Sequence, residues 1–543
     1  MSWKKYLVSV LAFSGFGLLV LFLLQVFQKF LPFNPQHIEG MSWDLSLNTA
    51  ISFVTNTNWQ AYSGESQLSY LSQALGLTVQ NFVTPATGIA VLYALIRGFT
   101  RVKGKGVGNF WTDLTRSTLY VLMPLSLAGA LMIASQGVPQ TWKAAETVEL
   151  MEPVAFDADG NYLEDARING DTVTVDGEVV EDAEVVTEEI VPLGFAASQI
   201  AIKQLGTNGG GYYGVNSAHP LENPNWFSNL LEMLFLLLIP ASLCFSFGRD
   251  VKDKKQGIAV FMAMFLMLIA AMSVVAVNEQ SASTVLTENE YVDTSTDGQA
   301  GGNMEGKETR FGIAQSALFT TVTTSFTTGT VNNMHDSLTP LGGLVPMLHM
   351  MLNCVFGGKG VGLMNMVMYV ILAVFICGLM VGRTPEYLNK KIEGREMKLV
   401  ALVILIHPLL ILGFSALGVA TQTGTSGITN PGYHGLSQIL YEFASSAANN
   451  GSGFEGLADN SVFWNITTGL AMFFGRYFSI VAQLAVAGSL LAKKKVNESI
   501  GSLKTDNVTF MIILVFIVYI FAALTFFPAL ALGPVAEHLS LWQ

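Results

Sequence analysis

Residues 206–211 read Gly-Thr-Asn-Gly-Gly-Gly, between a short amphipathic run, residues 195–205, and a long apolar run that begins near Asn225. In a soluble protein a glycine-rich loop would favour a phosphate site, but here the neighbouring runs are of membrane length. Glycines and small polar residues let backbone carbonyl oxygens converge on one point. A ring of carbonyl oxygens can replace the water shell of a potassium ion. The stretch is therefore a candidate cation site.

Composition indicates an integral membrane protein. Of the 543 residues, 51% are hydrophobic and 13% are charged, whereas soluble domains carry roughly 25% charged residues. Cys244, Cys354 and Cys377 lie in or beside apolar runs, which argues against a disulfide framework. The net charge is −12, but residues 146–189 hold 15 acidic side chains against the single basic Arg167. The acidity belongs to that segment, and nothing in the sequence supports nucleic-acid binding.

Nine apolar runs are long enough to cross a bilayer as helices. They lie near residues 6–31, 73–98, 117–136, 226–248, 257–277, 361–382, 398–420, 463–491 and 508–533. With a cytoplasmic N-terminus, 20 Lys and Arg residues fall inside and 6 fall outside, so the positive-inside rule favours this orientation and an extracytoplasmic C-terminus. The first run exceeds a signal-peptide core and lacks a small-residue cleavage site, so we interpret it as a retained helix.

Four segments on the outer side combine a short apolar run with a polar turn of small residues. The runs are residues 45–54, 195–205, 313–324 and 436–446, and the turns follow at 55–60, 206–211, 325–330 and 447–454. From Thr57, the turn centres Asn208, Gly329 and Asn450 follow after 151, 121 and 121 residues. This spacing predicts four repeats of helix, re-entrant helix, turn and helix. Their bounds are residues 1–100, 101–250, 251–395 and 396–500, with a last transmembrane helix in 501–543.

An acidic insert, residues 146–190, lengthens the second repeat. The stretch Val173–Val175 and the pair Val179–Val180 flank Asp176-Gly177, a pattern that predicts a small hairpin. We interpret the insert as an exterior cap whose charge attracts cations, or alternatively as a solvated surface without that role. A second polar stretch, residues 281–309, is predicted to be an outside loop.

Four re-entrant units predict a central pore, because irregular backbone at membrane depth must be buried or line a cavity. Each short helix would direct its C-terminal end, with its partial negative charge, toward the centre. The turn triplets contain no Asp or Glu, which favours a neutral carbonyl cage suited to potassium. Any single turn read alone is equally compatible with a capped surface loop.

The sequence resembles the A subunit family (KdpA) of the Kdp potassium-importing ATPase, which is related to the Trk, Ktr and HKT transporters. The resemblance covers the chain except for the acidic insert. It rests on the stretches at residues 52–60, 205–211, 216–224, 303–308, 334–337, 382–388, 449–452 and 528–537. It implies an all-α membrane fold with Trk-like pore repeats.

The resemblance also implies a role for individual residues. It assigns a potassium filter to Asn56, Thr57, Asn58, Thr207, Asn208, Gly209, Thr327, Thr328, Gly329, Asn449, Asn450 and Gly451. Gln60 is expected to shape the ion affinity beside the filter. Arg476, a lone arginine in a predicted membrane helix, resembles the family's charged barrier; the alternative is a paired or snorkelling structural arginine. Gly357, Gly358, Lys359 and Gly360 resemble a flexible intramembrane gate, or else form only a helix kink.

In two respects the sequence departs from the family pattern. The resemblance implies one more helix ahead of Met1. Lys359 stands where the family pattern leads us to expect an apolar residue, and a fixed cation there would repel potassium or pair with a carbonyl or a lipid headgroup.

The function expected from all this is potassium binding and translocation for an ATP-driven, high-affinity importer. The sequence contains no Asp-Lys-Thr-Gly phosphorylation motif, and Gly104-Lys105 and Gly358-Lys359 lack the Ser or Thr of a phosphate loop. The expected partners are a P-type ATPase subunit (KdpB), KdpC, a single-helix KdpF and membrane lipid, in a bacterial or archaeal plasma membrane. K⁺ is the only ion expected. The alternatives are a stand-alone Trk-type channel or symporter, and a receptor or scaffold with a vestigial pore.

Overall fold

A computed structural model describes residues 1–101, 106–143, 145–158, 160–170, 172–281, 301–380, 382, 384–496 and 503–541. The chain divides into two compact units. One comprises Met1–Val138 and Ala197–Gln543, and the other comprises Pro139–Ala196. Most of the predicted loop at 281–309, namely residues 282–300, lies outside the described residues.

The helices confirm the predicted membrane spans. Among the described residues, nine helices are long and apolar enough to cross a membrane: Trp3–Val26, Ser72–Thr100, Phe110–Ala134, Trp226–Asp250, Lys254–Gln280, Val361–Met380, Gly394–Ala420, Val462–Ala492 and Val508–Ser540. Six-residue π-helical segments open the second span at Ser72–Leu77 and interrupt the third at Ser117–Leu122, and the last span has a π segment at Ala531–Val535. The spans begin and end within a few residues of the predicted bounds, except that the third begins earlier and the last, with its terminal segments, extends further.

Polar side chains define where several spans begin. Asn225 Oδ1 accepts hydrogen bonds from the backbone of Phe227 (2.9 Å) and Ser228 (3.0 Å), which satisfies two donors that the helix itself leaves free. Asn507 does the same for Phe510, at 2.9 Å. Each cap compensates for the missing intrahelical partners at a helix start.

Four short helices, which we call the pore helices, lie between the spans. They are Trp43–Val54, Ala196–Leu205, Gly312–Ser325 and Tyr433–Ala448. All four were predicted as short apolar runs, and the structure extends three of them at one or both ends. With the spans they give the order span, pore helix, turn, span four times, followed by one last span. The exact repeat bounds remain predictions.

The two spans of each repeat differ in burial. In the second spans of the four repeats, 56–72% of the most apolar window is buried within the protein, against 17–44% in the first spans. The second spans therefore pack inside, and the first spans present more apolar surface outward, as expected for a helix facing lipid.

The second span of the third repeat is broken. Pro340–Leu352 forms a first helical segment, residues 353–360 form a loop, and Val361–Met380 continues as the span. Gly357 and Gly360 have φ values of +63° and +78°, a left-handed conformation that a glycine adopts without strain. The glycine-rich stretch thus interrupts the helix, as its sequence predicted.

The unit Pro139–Ala196 contains the acidic insert and is built of strands. Thr172–Val175 pairs with Glu178–Val179 in the predicted hairpin, and Arg167–Asn169 adds a third antiparallel strand. A longer ribbon, Ala145–Phe156 paired with Glu184–Pro192, was not predicted.

The remaining elements are short. They are the 3-10 turns Gln28–Phe30 and Asn216–Ala218, the helices Gly64–Gln67, Gln422–Thr425 and Ala536–Ser540, and the strand pair Glu386–Tyr387 with Lys390–Lys391. The helix Thr78–Thr100 makes up most of the second span, Phe110–Arg116 and Met123–Ala134 the third, and Val508–Leu530 the last.

Candidate functional site

The four turns share one backbone pattern. In each, the middle residue of the triplet donates its N–H to the carbonyl oxygen five residues earlier, at 2.8–2.9 Å: Thr57 to Ser52, Asn208 to Lys203, Thr328 to Thr323, and Asn450 to Ser445. This register corrects one detail of the sequence analysis. The centre of the third turn is Thr328 rather than Gly329, so the intervals are 151, 120 and 122 residues.

The first residue of every triplet is left-handed. Their φ values lie between +44° and +63°: Asn56, Thr207, Thr327 and Asn449. In three turns the third residue also has a positive φ: Asn58, Gly209 and Gly451. Threonine adopts this conformation only at a cost of about 1–3 kcal/mol, so the surrounding packing must enforce it. Alternating backbone handedness rotates successive peptide planes, which allows neighbouring carbonyl oxygens to face the same side.

Glycines bring the turns into contact. A Cβ atom on Gly209 would overlap the backbone of Gly329, and one on Gly451 would overlap the carbonyl oxygen of Thr57. A Cβ on Gly329 would lie 2.8 Å from Gly451 Cα. The second turn therefore touches the third, the third touches the fourth, and the fourth touches the first. No side chain fits at Gly209 or Gly451 without moving a neighbouring turn.

Side-chain amides close the ring between the first and second turns. Asn56 Nδ2 donates to the carbonyl oxygen of Thr207 (3.0 Å), and Asn208 Nδ2 donates to Asn56 Oδ1 (2.7 Å). Thr84 Oγ1 also donates to Asn56 Oδ1, at 2.9 Å. All twelve predicted triplet residues thus belong to four adjoining turns.

Several polar residues that fix the turns were missed in the sequence. Asn353, itself left-handed with φ +46°, accepts from Thr327 Oγ1 (3.3 Å) and donates to the carbonyl oxygen of Ala448 (3.2 Å). Asn81 Oδ1 accepts from Asn58 Nδ2 at 2.5 Å. Thr84 and Asn81 lie in the second span, and polar residues on a membrane helix were the available signal.

Two buried ion pairs lie on or next to the pore helices, and they were also not predicted from the sequence. Lys203, on the second pore helix, pairs with Glu222, and Lys307 pairs with Glu279 at 2.7 Å. All four side chains have zero exposure. Removing one partner of such a pair leaves a buried charge and typically costs 3–5 kcal/mol. The pairs fix the second pore helix and the segment before the third.

The glycine-rich loop at 353–360 contacts the turns at the end formed by their first residues, which we call the loop end. The backbone N–H of Lys359 donates to Thr207 Oγ1 (3.2 Å), and that of Gly357 donates to the carbonyl oxygen of Ser325 (2.9 Å). Lys359 is 2% exposed, and its Nζ has no hydrogen-bond partner among the described residues. The backbone of Lys359 therefore lies beside the second turn, and its side chain is buried.

Arg476 also lies at the loop end. Its Nε donates to the carbonyl oxygen of Thr55 at 2.6 Å, and Tyr477 Oη donates to that of Val54 at 3.2 Å. Arg476 is 8% exposed. The guanidinium group is therefore held against the C-terminal end of the first pore helix, directly before the first turn.

A cavity of about 630 Å³ opens at the opposite end of the turns, which we call the cavity end. It is lined by residues of all four turns: Asn58, Gly210, Gly329 and Gly451. Gln60, predicted to lie just beyond the first turn, also lines it. The four turns thus share one accessible space.

Acidic residues line this cavity, and the buried His335 donates its backbone N–H to one of them, Glu455, at 3.2 Å. Burial raises the pKa of the Asp459 carboxyl to about 6, although the hydrogen bond that it accepts from Trp59 Nε1 (3.2 Å) opposes the shift. Burial, assisted by nearby Lys307, lowers the pKa of His335 to about 3. His335 is therefore uncharged at neutral pH, and its Nδ1 lies 2.6 Å from Tyr441 Oη. Burial also raises the pKa of the Glu455 carboxyl to about 8, so this acid is largely neutral at neutral pH.

Across the described parts of the chain, no group of three or more His, Cys, Asp or Glu side chains is placed to hold a metal ion. The polar atoms gathered at the turns are amides, hydroxyls and backbone groups, which suit a weakly held, hydrated ion better than a tightly chelated one.

Comparison with solved structures defines the class of protein. The chain is similar to the potassium transporter TrkH from Vibrio parahaemolyticus, with a TM-score of 0.54 and 14% identity, covering 89% of this chain and 84% of that one. This likeness concerns the fold, which is that of a helical membrane protein with the architecture of a Trk-type transporter.

The family follows from the sequence comparison. The model of the family described as potassium-transporting ATPase A subunit, KdpA, matches residues 1–539, and the chain belongs to this family. Similar proteins come from Clostridium botulinum (strain Eklund 17B / Type B), 56% identical, and Clostridium perfringens (strain ATCC 13124), 55% identical. Each match covers all of this chain and 90% of the relative, which is named "potassium-transporting ATPase potassium-binding subunit". The chain is accordingly a multi-pass membrane protein.

Proposed function

We propose that this chain is the potassium-binding and translocating subunit of an ATP-driven, high-affinity potassium importer. K⁺ enters from outside through the four turns and passes to a P-type ATPase subunit. The observation that carries the proposal is the ring of four turns with one hydrogen-bond register, in a chain of the KdpA family. The names of the relatives supply the ion and the ATPase.

The four triplets act as the selectivity filter. Each follows the C-terminal end of a pore helix, where the helix dipole places about half a negative charge. The triplets carry only Asn, Thr and Gly, so carbonyl and amide oxygens replace the hydration shell of the ion without a carboxylate. Gln60, on the cavity wall just beyond the first triplet, tunes the ion affinity.

Two groups at the loop end keep the path from acting as an open channel. Arg476, whose Nε binds the carbonyl oxygen of Thr55, is a fixed positive barrier to a cation that has passed the turns. Gly357, Gly358, Lys359 and Gly360 form a gate, since this loop touches the second turn and the third pore helix. Movement of the loop would change the space beneath both.

The partners and the location follow from the family. The catalytic step belongs to a P-type ATPase subunit, KdpB, because this sequence has no phosphorylation motif. KdpC and the single-helix KdpF complete the complex. The membrane is a bacterial or archaeal plasma membrane, with the N-terminus cytoplasmic and the C-terminus extracytoplasmic, as the Lys and Arg distribution favours.

A stand-alone Trk-type channel or symporter is the alternative, favoured by the similarity of the fold to TrkH. Such a protein needs no ATPase partner. The two functions differ in whether transport requires ATP hydrolysis, and that difference decides the experiment.

The test is purification of the tagged chain from its native membrane, followed by measurement of ATPase activity. The proposal predicts that a P-type ATPase subunit copurifies and that K⁺, but not Na⁺, stimulates ATP hydrolysis. A chain that purifies alone and conducts K⁺ passively in vesicles would establish the alternative. An ATPase complex that Na⁺ and K⁺ stimulate equally would contradict the filter assignment.

A further inference from the structure

One pore helix differs from the other three at an equivalent position. Counting eight residues back from the middle of each triplet gives Thr49, Ile200, Thr320 and Glu442. Glu442, on the fourth pore helix, is 2% exposed and lines the cavity at the cavity end of the turns. The other three repeats have an uncharged residue at this position. Packing of the four pore helices therefore does not require a charge there. The carboxylate therefore serves something specific to the fourth repeat.

The carboxylate of Glu442 is only half satisfied. Its Oε1 accepts a hydrogen bond from the backbone N–H of Phe454, at 3.1 Å. Its Oε2 has no donor among the residues that the structure describes. A buried carboxylate without a counter-charge is costly, so a natural chain retains one only where a cation or a proton compensates.

The cavity wall does not provide that counter-charge. Lys307 lines the same cavity, but its ammonium group is bound to Glu279 at 2.7 Å. The other charged residues of the lining are acids, namely Glu308, Glu455 and Asp459, and they offer no positive charge to Glu442. The compensating charge, a cation or a proton, must therefore come from solution.

A second acceptor lines the same space. Asn58 is 2% exposed, and its Nδ2 donates a hydrogen bond to Asn81 Oδ1 at 2.5 Å. Its Oδ1 has no donor within the described part of the chain. Asn58 and Glu442 belong to different repeats, yet each leaves one oxygen unpaired beside one cavity. Oxygen atoms without donors are suitable ligands for a hard cation, for which oxygen is the preferred ligand atom.

We propose that the cavity at the cavity end of the turns contains an outer site for a monovalent cation, with Glu442 as its charged ligand and Asn58 Oδ1 as a neutral one. K⁺ occupies this site, still partly hydrated, before it enters the triplets. The site raises the local K⁺ concentration at the first step of import. This inference rests on the proposed function, since it presumes that K⁺ enters from the cavity end.

The test uses the whole complex with its ATPase partner in lipid vesicles and K⁺ as the probe. Glu442→Gln keeps the shape of the side chain and removes its charge. We expect the half-saturating K⁺ concentration for ATP hydrolysis to rise about tenfold, which corresponds to about 1.4 kcal/mol. The effect on this concentration should exceed the effect on the maximal rate. Glu442→Asp, which withdraws the carboxylate by one methylene, should raise it about threefold.

A matched control distinguishes direct binding of the ion by Glu442 from a long-range electrostatic effect of acidic residues. Glu308 lines the same cavity, but its side chain is 42% exposed and pairs with Arg310. Glu308→Gln should therefore change half-saturation less than twofold. Raising choline chloride from about 20 to about 500 mM screens a long-range field strongly. The difference between Glu442→Gln and the wild type should persist at high salt if Glu442 binds the ion directly.

The outcomes distinguish the inference from the function on which it rests. If the wild-type complex is K⁺-stimulated and Glu442→Gln binds K⁺ as well as the wild type does, the outer site is refuted and the proposed function stands. Equal shifts in Glu442→Gln and Glu308→Gln, both abolished by salt, also refute it. If K⁺ does not stimulate the wild-type complex, the proposed function itself fails. Should the Gln variant not assemble, Glu442→Asp decides by the same measurement.

Discussion

The two ends of the turns carry opposite charge. At the cavity end, Glu442 and Asn58 present oxygens without donors among the described residues. At the loop end, the Arg476 guanidinium binds the carbonyl oxygen of Thr55 directly before the first turn, and the backbone N–H of Lys359 binds Thr207 in the second. A cation is therefore attracted at one end and opposed at the other. Four turns with nearly the same backbone become directional only because the groups around them differ.

Buried charged groups near the turns differ in whether another charged group of the protein compensates them. The two pairs behind the turns, Lys203 with Glu222 and Lys307 with Glu279, neutralise buried charge within the protein. Glu442 and Lys359 keep atoms that nothing in the described chain compensates. Unpaired buried charge costs several kcal/mol.

The largest effect is expected from a substitution that distorts the second turn. Gly209→Asp introduces a Cβ where φ is +120° and where the backbone of Gly329 leaves no room, and it also adds a carboxylate. Strain of about 1–3 kcal/mol corresponds to a loss of about fivefold to 150-fold. We expect the K⁺ affinity of the complex to fall by about that factor and its discrimination against Rb⁺ and Na⁺ to weaken, as measured by cation-stimulated ATP hydrolysis.

The control for this substitution is Gly137→Asp. Gly137 also has a positive φ, +101°, but no atom lies within 4 Å of its Cβ position. This variant should retain the wild-type selectivity. A well-assembled Gly209→Asp complex with unchanged selectivity would disprove the filter assignment.

A smaller effect is expected from removing the barrier at the loop end. Arg476→Ala deletes the positive charge and the hydrogen bond to the carbonyl oxygen of Thr55. We expect passive ⁸⁶Rb⁺ flux into vesicles without ATP to rise about tenfold, as the loss of a barrier of about 1.4 kcal/mol would give. Arg476→Lys retains a charge and should leak much less. If neither variant leaks, Arg476 is a structural residue.

The smallest effect is expected from a substitution of Lys359. Lys359→Met preserves the length of the side chain but removes an ammonium group that has no partner among the described residues. If that group repels K⁺ below the second turn, the half-saturating K⁺ concentration should fall about threefold, or about 0.7 kcal/mol. Lys391→Met, at an exposed lysine, serves as control. A rise in half-saturation would instead indicate that Lys359 supports the turn.

Sequence patterns predicted a large part of the fold. The nine spans and four pore helices follow from run length and from the polar turns that end each short run. The third turn was centred on Gly329 because glycine resembled the centre of a loop, whereas the hydrogen bond of Thr328 decides the register. The ribbon of Ala145–Phe156 with Glu184–Pro192 escaped prediction because its strands lie far apart in sequence.

The sequence alone determined that the chain crosses the membrane many times and repeats one unit four times, because run length and turn composition are local properties. Only the tertiary structure decided which groups meet: Asn56 with Asn208, Asn353 between the third turn and the fourth pore helix, and Arg476 against Thr55. These contacts join residues 95 to 421 positions apart, leaving aside the shorter link from Thr327 to Asn353. Such pairings depend on how helices pack, and no local pattern encodes which side chains are left without a partner.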